Sequence, residues 1–136
     1  MSELQNAKKI AEFEDKSLLI VDDDNPFRER LSRAMEKKGF IVTQAEGVKK
    51  GIDCVTTKKP AFAVIDLRLG DGNGLEVVKK IQNSQDSNIK SRIIMLTGYG
   101  NISTAVAAIK EGAIDYLAKP ADADDVEKAL LADPNK

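Results

Sequence analysis

The chain has 136 residues, 42% hydrophobic but only 4% aromatic, with no tryptophan, no histidine, one cysteine, and 21 basic against 22 acidic residues. That length fits one domain with an aliphatic core, and the near-neutral charge carries no whole-chain signature of nucleic-acid or anionic-membrane binding. The missing histidine excludes Ser/His/Asp and Cys/His catalysis and most zinc sites, leaving carboxylates, hydroxyls and lysines to carry any chemistry.

A single cysteine excludes an internal disulfide and suits a reducing compartment. No apolar run approaches the roughly 20 residues that span a bilayer, and the charged N-terminus lacks an apolar signal core. A cytoplasmic protein without membrane contact is expected.

Residues 1–16 are polar, with only Leu4, Ile10 and Phe13 as larger apolar side chains, and read as a leader, mobile or loosely helical. Leu18-Leu19-Ile20-Val21 fits a buried strand and ends in Asp22-Asp23-Asp24. Asn25 is expected to cap the following helix and Pro26 to open it. Phe27, Leu31, Ala34 and Met35 recur at helical spacing, and Gly39 ends the run. Phe40-Ile41-Val42 reads as a second strand, and Val48, Ile52 and Val55 mark a second helix closed by Lys58-Lys59-Pro60, whose lysines read as solvated surface. Cys54, beside Ile52 and Val55, reads as a half-buried filler rather than a redox sensor.

Ala61-Phe62-Ala63-Val64-Ile65 is an unbroken apolar run stopping at Asp66, the mark of a central strand buried on both faces. A loop over 67–73 follows, then a third helix carried by Leu75, Val78 and Ile81 and a polar connection over 84–91. Arg92–Thr97 is a fourth strand, Ile102, Ala105, Val106 and Ile109 a fourth helix, and Ile114–Ala118 a fifth strand leading into Lys119-Pro120. Val126, Ala129 and Leu130 belong to a last helix with acids in its first turn, as the helix dipole favours. Five strand-then-helix repeats with short connections imply one α/β domain, a parallel sheet with helices on both faces.

In such a sheet the strands' carboxyl ends share one edge, where open α/β folds place their chemistry. Topology therefore brings Asp22, Asp23, Asp66, Thr97 and Lys119 together. Three crowded carboxylates repel one another unless a cation sits among them, and Mg²⁺ takes carboxylates, waters and a phosphate oxygen. Lys119, the Thr97 hydroxyl and the Gly98 N–H suit a phosphoryl group, and Asp66 suits a covalent aspartyl-phosphate nucleophile. With no histidine in the chain, a phosphohistidine donor would belong to another protein.

These residues carry a resemblance. Val21-Asp22-Asp23-Asp24, Val64-Ile65-Asp66-Leu67, Leu96-Thr97-Gly98 and Tyr116-Leu117-Ala118-Lys119-Pro120 resemble, in order, the motifs of the receiver domain of two-component response regulators. The likeness covers residues 17–132 and implies a doubly wound (βα)5 flavodoxin-like fold with a parallel five-stranded sheet of order 2-1-3-4-5. It further implies that Asp66 accepts a phosphoryl group from a sensor histidine kinase. Asp23, Asp66 and the Arg68 backbone carbonyl would ligate Mg²⁺ directly and Asp22 through a water, with Asp24 a surface residue outside the pocket. Thr97 and Tyr116 match the switch pair, Gly98 and Lys119 the phosphate contacts, and the Lys119–Pro120 bond is usually cis in this family.

Leu67–Gly72, Thr97–Ile102 and Lys119–Val126 further resemble the RegA/PrrA/ActR type, the redox-responsive global regulators of alphaproteobacteria. Phosphorylation is expected to act on the face of the fourth helix, fifth strand and last helix, which would either form a phosphorylation-dependent homodimer through residues 101–131 or release an output domain. DNA binding would belong to a helix-turn-helix domain absent here, with residues 133–136 as the start of its linker. Other readings fare worse. A haloacid-dehalogenase-type phosphatase needs a second acid where Arg68 stands, and a nucleotide-binding domain needs a Gly-rich loop where the acidic triplet stands. A stand-alone receiver, or a pseudo-receiver that binds partners without phosphorylation, is the remaining alternative.

Overall fold

The computed structural model describes residues 9–84, 90–98 and 102–132. Residues 1–8 of the expected leader, part of the polar connection (85–89), Tyr99-Gly100-Asn101 and the expected linker 133–136 lie outside the described residues.

Five strands alternate with five helices: β1 (Ser17–Val21), α1 (Asn25–Lys38), β2 (Ile41–Ala45), α2 (Val48–Thr57), β3 (Phe62–Asp66), α3 (Leu75–Gln82), β4 (Arg92–Thr97), α4 (Ile102–Lys110), β5 (Asp115–Ala118) and α5 (Ala123–Leu131). All neighbouring pairs are parallel, in the order β2-β1-β3-β4-β5, which is the expected order. A two-residue antiparallel ladder, Arg68–Leu69 against Gly72–Asn73, forms between β3 and α3 and stands apart from the sheet.

The sheet is covered on both faces, so alternate residues of each inner strand feed different cores. Leu19, Val21, Ile65, Ile93 and Met95 pack with Val55 of α2 and Val77, Val78 and Ile81 of α3. Leu18, Ile20, Val64, Ile94 and Leu96 pack with Leu31 and Met35 of α1 and Val126 and Leu130 of α5. Every residue of β3 is buried, which is why its sequence shows no alternation.

Three features depart from the sequence reading. The second strand runs Ile41–Ala45, with Ile41 68% exposed. Phe40 instead drops into the core just before it, edge-to-face on Phe62 with ring centroids 5.3 Å apart. Within the segment read as a leader, Ile10–Glu12 form a 3-10 turn, Ile10 is buried, and Phe13 packs edge-to-face on Phe62. Lys59 is only 8% exposed where the chain turns from α2 toward β3, so the Lys58-Lys59 pair is solvated at Lys58 alone.

Candidate functional site

The carboxyl edge of the sheet gathers the acids as the topology requires. The β1 ladder continues one step past Val21, where the Asp22 N–H donates to the Ala45 carbonyl at 3.1 Å, so the Asp22 backbone is held by the sheet. Its side chain is fully buried, whereas Asp23 points outward and is exposed. Asp24 turns the other way: its carboxylate accepts from the Phe27 N–H at 3.2 Å. Asp24, not Asn25, therefore caps α1, and Pro26 lies in the first turn. Asn25 instead accepts from Arg28 Nη1 at 2.7 Å.

Asp66 ends the central strand and is 5% exposed. Its Oδ1 accepts from the Arg68 N–H at 3.1 Å and its Oδ2 from Lys119 Nζ at 3.1 Å. The same ammonium donates to Asp22 Oδ1 at 3.1 Å, lies 2.9 Å from Asp22 Oδ2, and sits 4.8 Å from the centre of the Phe27 ring. The Lys119–Pro120 bond is cis. Gly74, at the start of α3, presses against the end of β3: a Cβ there would lie 2.2 Å from the Asp66 carbonyl oxygen. Only a residue without a side chain fits.

The electrostatics follow from this crowding. Burial, then the charge of Asp22, pushes the Asp66 carboxyl up to about 6 against the opposing pull of Lys119 and the Arg68 N–H. Burial works against the Lys119 ammonium, but its bonds to Asp22 and Asp66 outweigh that and raise its pKa. Asp22, Asp23 and Asp66 each offer a carboxylate oxygen, all within 4.8 Å of one another, and one lysine is insufficient to neutralise them. Asp22 Oδ2, wholly buried, accepts no hydrogen bond. A buried anionic oxygen with only the shared ammonium 2.9 Å away, beside two further hard oxygen donors, fits a divalent cation such as Mg²⁺.

Thr97 ends β4 next to β3, 2% exposed, and its hydroxyl donates to the Gly98 carbonyl at 2.8 Å rather than to any acid. Tyr116 lies on β5 opposite Met95 and packs, partly buried, against the core that includes Ala108 and Ala113. Cys54 is half-buried against the same core, and burial, then Asp53, raises its thiol pKa. Among the apolar residues of the expected dimer face, Val106 and Ile109 of α4 are exposed, while Val126, Leu130 and Leu131 of α5 turn inward.

Two residues of this edge escaped the sequence reading. Arg28 is 9% exposed, with Nη1 donating to the Asp22 carbonyl at 2.8 Å and Nε to Gln44 Oε1 at 2.9 Å. Asp71 reaches from the loop after β3 to the start of α2, accepting from the Val48 N–H at 2.8 Å and the Lys49 N–H at 3.1 Å.

A family model described as the response regulator receiver domain matches residues 18–131. Over 122 residues the chain is 59% identical to the acid tolerance regulatory protein ActR of Sinorhizobium medicae, covering 90% of this chain and 61% of that protein. Over 118 residues it is 59% identical to the photosynthetic apparatus regulatory protein RegA of Rhodobacter capsulatus, covering 87% of this chain and 62% of that one. It thus spans about three-fifths of the length of these relatives. Among solved structures, a response regulator protein from Burkholderia pseudomallei with a phosphorylated aspartic acid, calcium ion and citrate superposes with a TM-score of 0.79 at 36% identity. That match covers 89% of this chain and 69% of the other.

Proposed function

This chain belongs to the response regulator receiver family, and from that membership we propose that Asp66 accepts a phosphoryl group from a sensor histidine kinase in a Mg²⁺-dependent reaction. The observation that carries the reading is the buried Asp66 carboxylate at the end of the central strand, 3.1 Å from Lys119 Nζ and within reach of Asp22 and Asp23. That a relative carries a phosphorylated aspartic acid and a calcium ion supports it. As a signalling domain, the chain turns over no substrate beyond its own phosphoryl group.

An ionised Asp66 oxygen attacks phosphorus, the bond from phosphorus to the donor's imidazole nitrogen breaks, and the imidazole leaves with the electron pair. Lys119, already placed beside Asp66, moves onto a phosphoryl oxygen, and the Gly98 N–H and Thr97 hydroxyl supply further donors. Asp23, Asp66 and the Arg68 carbonyl would hold Mg²⁺, with Asp22 acting through a water. When bound, the ion offsets the negative charge of the acids and the incoming phosphoryl oxygens. Return to the unmodified state needs only water: it attacks phosphorus, the phosphorus–Asp66 bond breaks, and inorganic phosphate departs.

The Thr97 hydroxyl bonds to its neighbour's carbonyl in this state, so a phosphoryl group competes for it. We read that exchange, together with inward movement of the Tyr116 ring, as the bias on a two-state equilibrium in the α4-β5-α5 face. The exposed Val106 and Ile109 make α4 the apolar part of that face, through which residues 101–131 would form a phosphorylation-dependent homodimer. In a longer parent like ActR or RegA, transcription control would act through a DNA-binding domain beyond the receiver. No described helix is long and apolar enough to cross a membrane, and the reading is of a cytoplasmic partner to the kinase's phosphohistidine.

Intact-protein mass spectrometry after incubation with acetyl phosphate, with and without Mg²⁺, tests the reaction. One Mg²⁺-dependent phosphoryl adduct, absent in Asp66→Asn, is expected. A folded wild type that takes no adduct would instead favour a pseudo-receiver read by partners through shape. For the dimer, equal sedimentation of phosphorylated and unmodified forms would count against the assignment.

A further inference from the structure

The Arg68–Asn73 loop carries the one backbone group assigned to the metal; its ends are tied down, by the Arg68 N–H to Asp66 Oδ1 at 3.1 Å and by the Asn73 N–H to Glu76 Oε2 at 3.1 Å, but its tip is held by less. Its ladder is two residues long on each side, and Arg68, Gly72 and Asn73 are exposed. So short a ribbon is marginal by itself. At its base the Gly74 N–H donates to the Leu67 carbonyl at 2.8 Å, and Leu69 is buried. The tip would be loose but for Asp71, whose two carboxylate oxygens separately take the first two N–H groups of α2, Val48 at 2.8 Å and Lys49 at 3.1 Å. These are donors that a helix leaves unpaired at its start, and Gly47 before them offers no side-chain cap.

The surroundings are shaped to admit this contact. A Cβ on Gly47 would lie 2.6 Å from Asp71 Oδ1, so the residue preceding α2 lacks a side chain where the carboxylate enters. The paired N–H groups also lower the Asp71 pKa, first through Val48 and then Lys49, which keeps the carboxylate ionised. On the pocket side, Gly70 abuts Asp23, whose Oδ2 would be 3.4 Å from a Cβ at that position. The tip is thus bonded to the start of α2 at one side and lies beside an acid of the pocket at the other.

We propose that Asp71 is a positioning residue for the metal site, fixing the Arg68 carbonyl by stapling its loop to the amino end of α2. The proposal rests on the reading of the Asp66 pocket as a Mg²⁺-dependent phosphoacceptor. Asp71 itself touches neither metal nor phosphoryl group. Outer partners that orient metal ligands cost about ten- to a hundredfold in affinity when removed, and Asp71→Ala falls at the lower end because Leu69 and Gly74 still hold the base. Asp71→Asn keeps one acceptor oxygen and loses less.

The test is titration of ¹⁵N-labelled wild type, Asp71→Asn, Asp71→Ala and Val55→Ala with MgCl2, following the amide signals of the acidic pocket. Val55→Ala lowers stability from the far end of α2, seven residues beyond the Val48 N–H that Asp71 takes, and leaves the staple itself intact. The half-saturating Mg²⁺ concentration is expected to rise about tenfold in Asp71→Ala, less in Asp71→Asn, and to stay unchanged in Val55→Ala. Acetyl phosphate labelling should follow suit, with a higher Mg²⁺ requirement but an undiminished rate at saturating metal. If the Asp71 variants titrate like the wild type, or if Val55→Ala weakens the metal equally, the positioning role is overturned. If the wild type itself shows no Mg²⁺ response, the underlying reading of the pocket falls, which the other outcomes leave standing.

Discussion

Replacing Asp66 should stabilise the metal-free protein. Asp66 is buried beside Asp22, and its carboxyl is pushed from 3.8 to about 6. The native state therefore holds the Asp66 proton more tightly than the unfolded chain, and wild-type stability falls as pH rises from about 4 to about 6 and stays lost above. A shift of about two units, at about 1.4 kcal/mol each, amounts to about 3 kcal/mol of strain from the ionised group. That net figure already includes the pull of Lys119; Asp66→Asn removes the charge, but a buried amide that pairs imperfectly with the ammonium offsets part of it, leaving a net gain of about 1–2 kcal/mol. For a domain of this size that is a rise in melting temperature of about 5 °C at neutral pH with chelator present. The gain should shrink toward zero near pH 4, where the wild-type carboxyl is protonated, and narrow in millimolar Mg²⁺, which steadies the wild type more than the variant. Thermal denaturation followed by circular dichroism over that pH range reads all three. An Asn variant no more stable than wild type at neutral pH, or one whose gain persists undiminished at pH 4, would refute the claim that the acids repel.

Lys119→Ala removes the ammonium that pairs with both Asp22 and Asp66. We expect a metal-free destabilisation on the order of 2 kcal/mol, partly restored by Mg²⁺ in thermal melts, and an acetyl phosphate adduct that still forms but no longer shifts the α4-β5-α5 face. Gly74→Ala drives a Cβ into the Asp66 carbonyl oxygen, an overpacking that should cost about 3 kcal/mol in urea denaturation and slow labelling at Asp66. Arg28→Met fills similar space but leaves the Asp22 carbonyl and Gln44 without their donor. A loss of about 1–3 kcal/mol in the same assay is expected, and a neutral result would mean that water replaces the guanidinium at no cost.

The architecture was legible where burial is two-sided. β3 is covered on both faces, so its run of apolar residues announced both a strand and the position of Asp66 at its end. The acid cluster followed from topology, because parallel strands share a carboxyl edge whatever the details of their packing. Edge and terminal elements were harder to read. β2 is covered mainly at Ala45 and leaves Ile41 in solvent, so its Thr43-Gln44 stretch carried no strand signature, while Phe40, a core residue, drew the boundary one step early. Ile10 and Phe13 stand alone among polar neighbours, and isolated apolar residues have no period by which to recognise that they dock. Arg28 and Asp71 were missed for a related reason. Hydrophobic periodicity assigns every charged residue to solvent, and only the fold shows that Arg28 turns under Asp22 or that Asp71 meets a helix end more than twenty residues earlier in the chain. Asp24 and Asn25 both suit a cap, and local sequence alone does not choose between adjacent candidates.

The central claim is that Asp66, and no other acid of the cluster, becomes an acyl phosphate. Its most direct test is borohydride reduction of protein treated with acetyl phosphate and Mg²⁺, which converts an aspartyl phosphate to homoserine, followed by peptide mapping with tandem mass spectrometry. The account predicts homoserine at position 66 alone, dependent on Mg²⁺. Homoserine at position 22 or 23, or none anywhere in a protein shown to be folded, would contradict it.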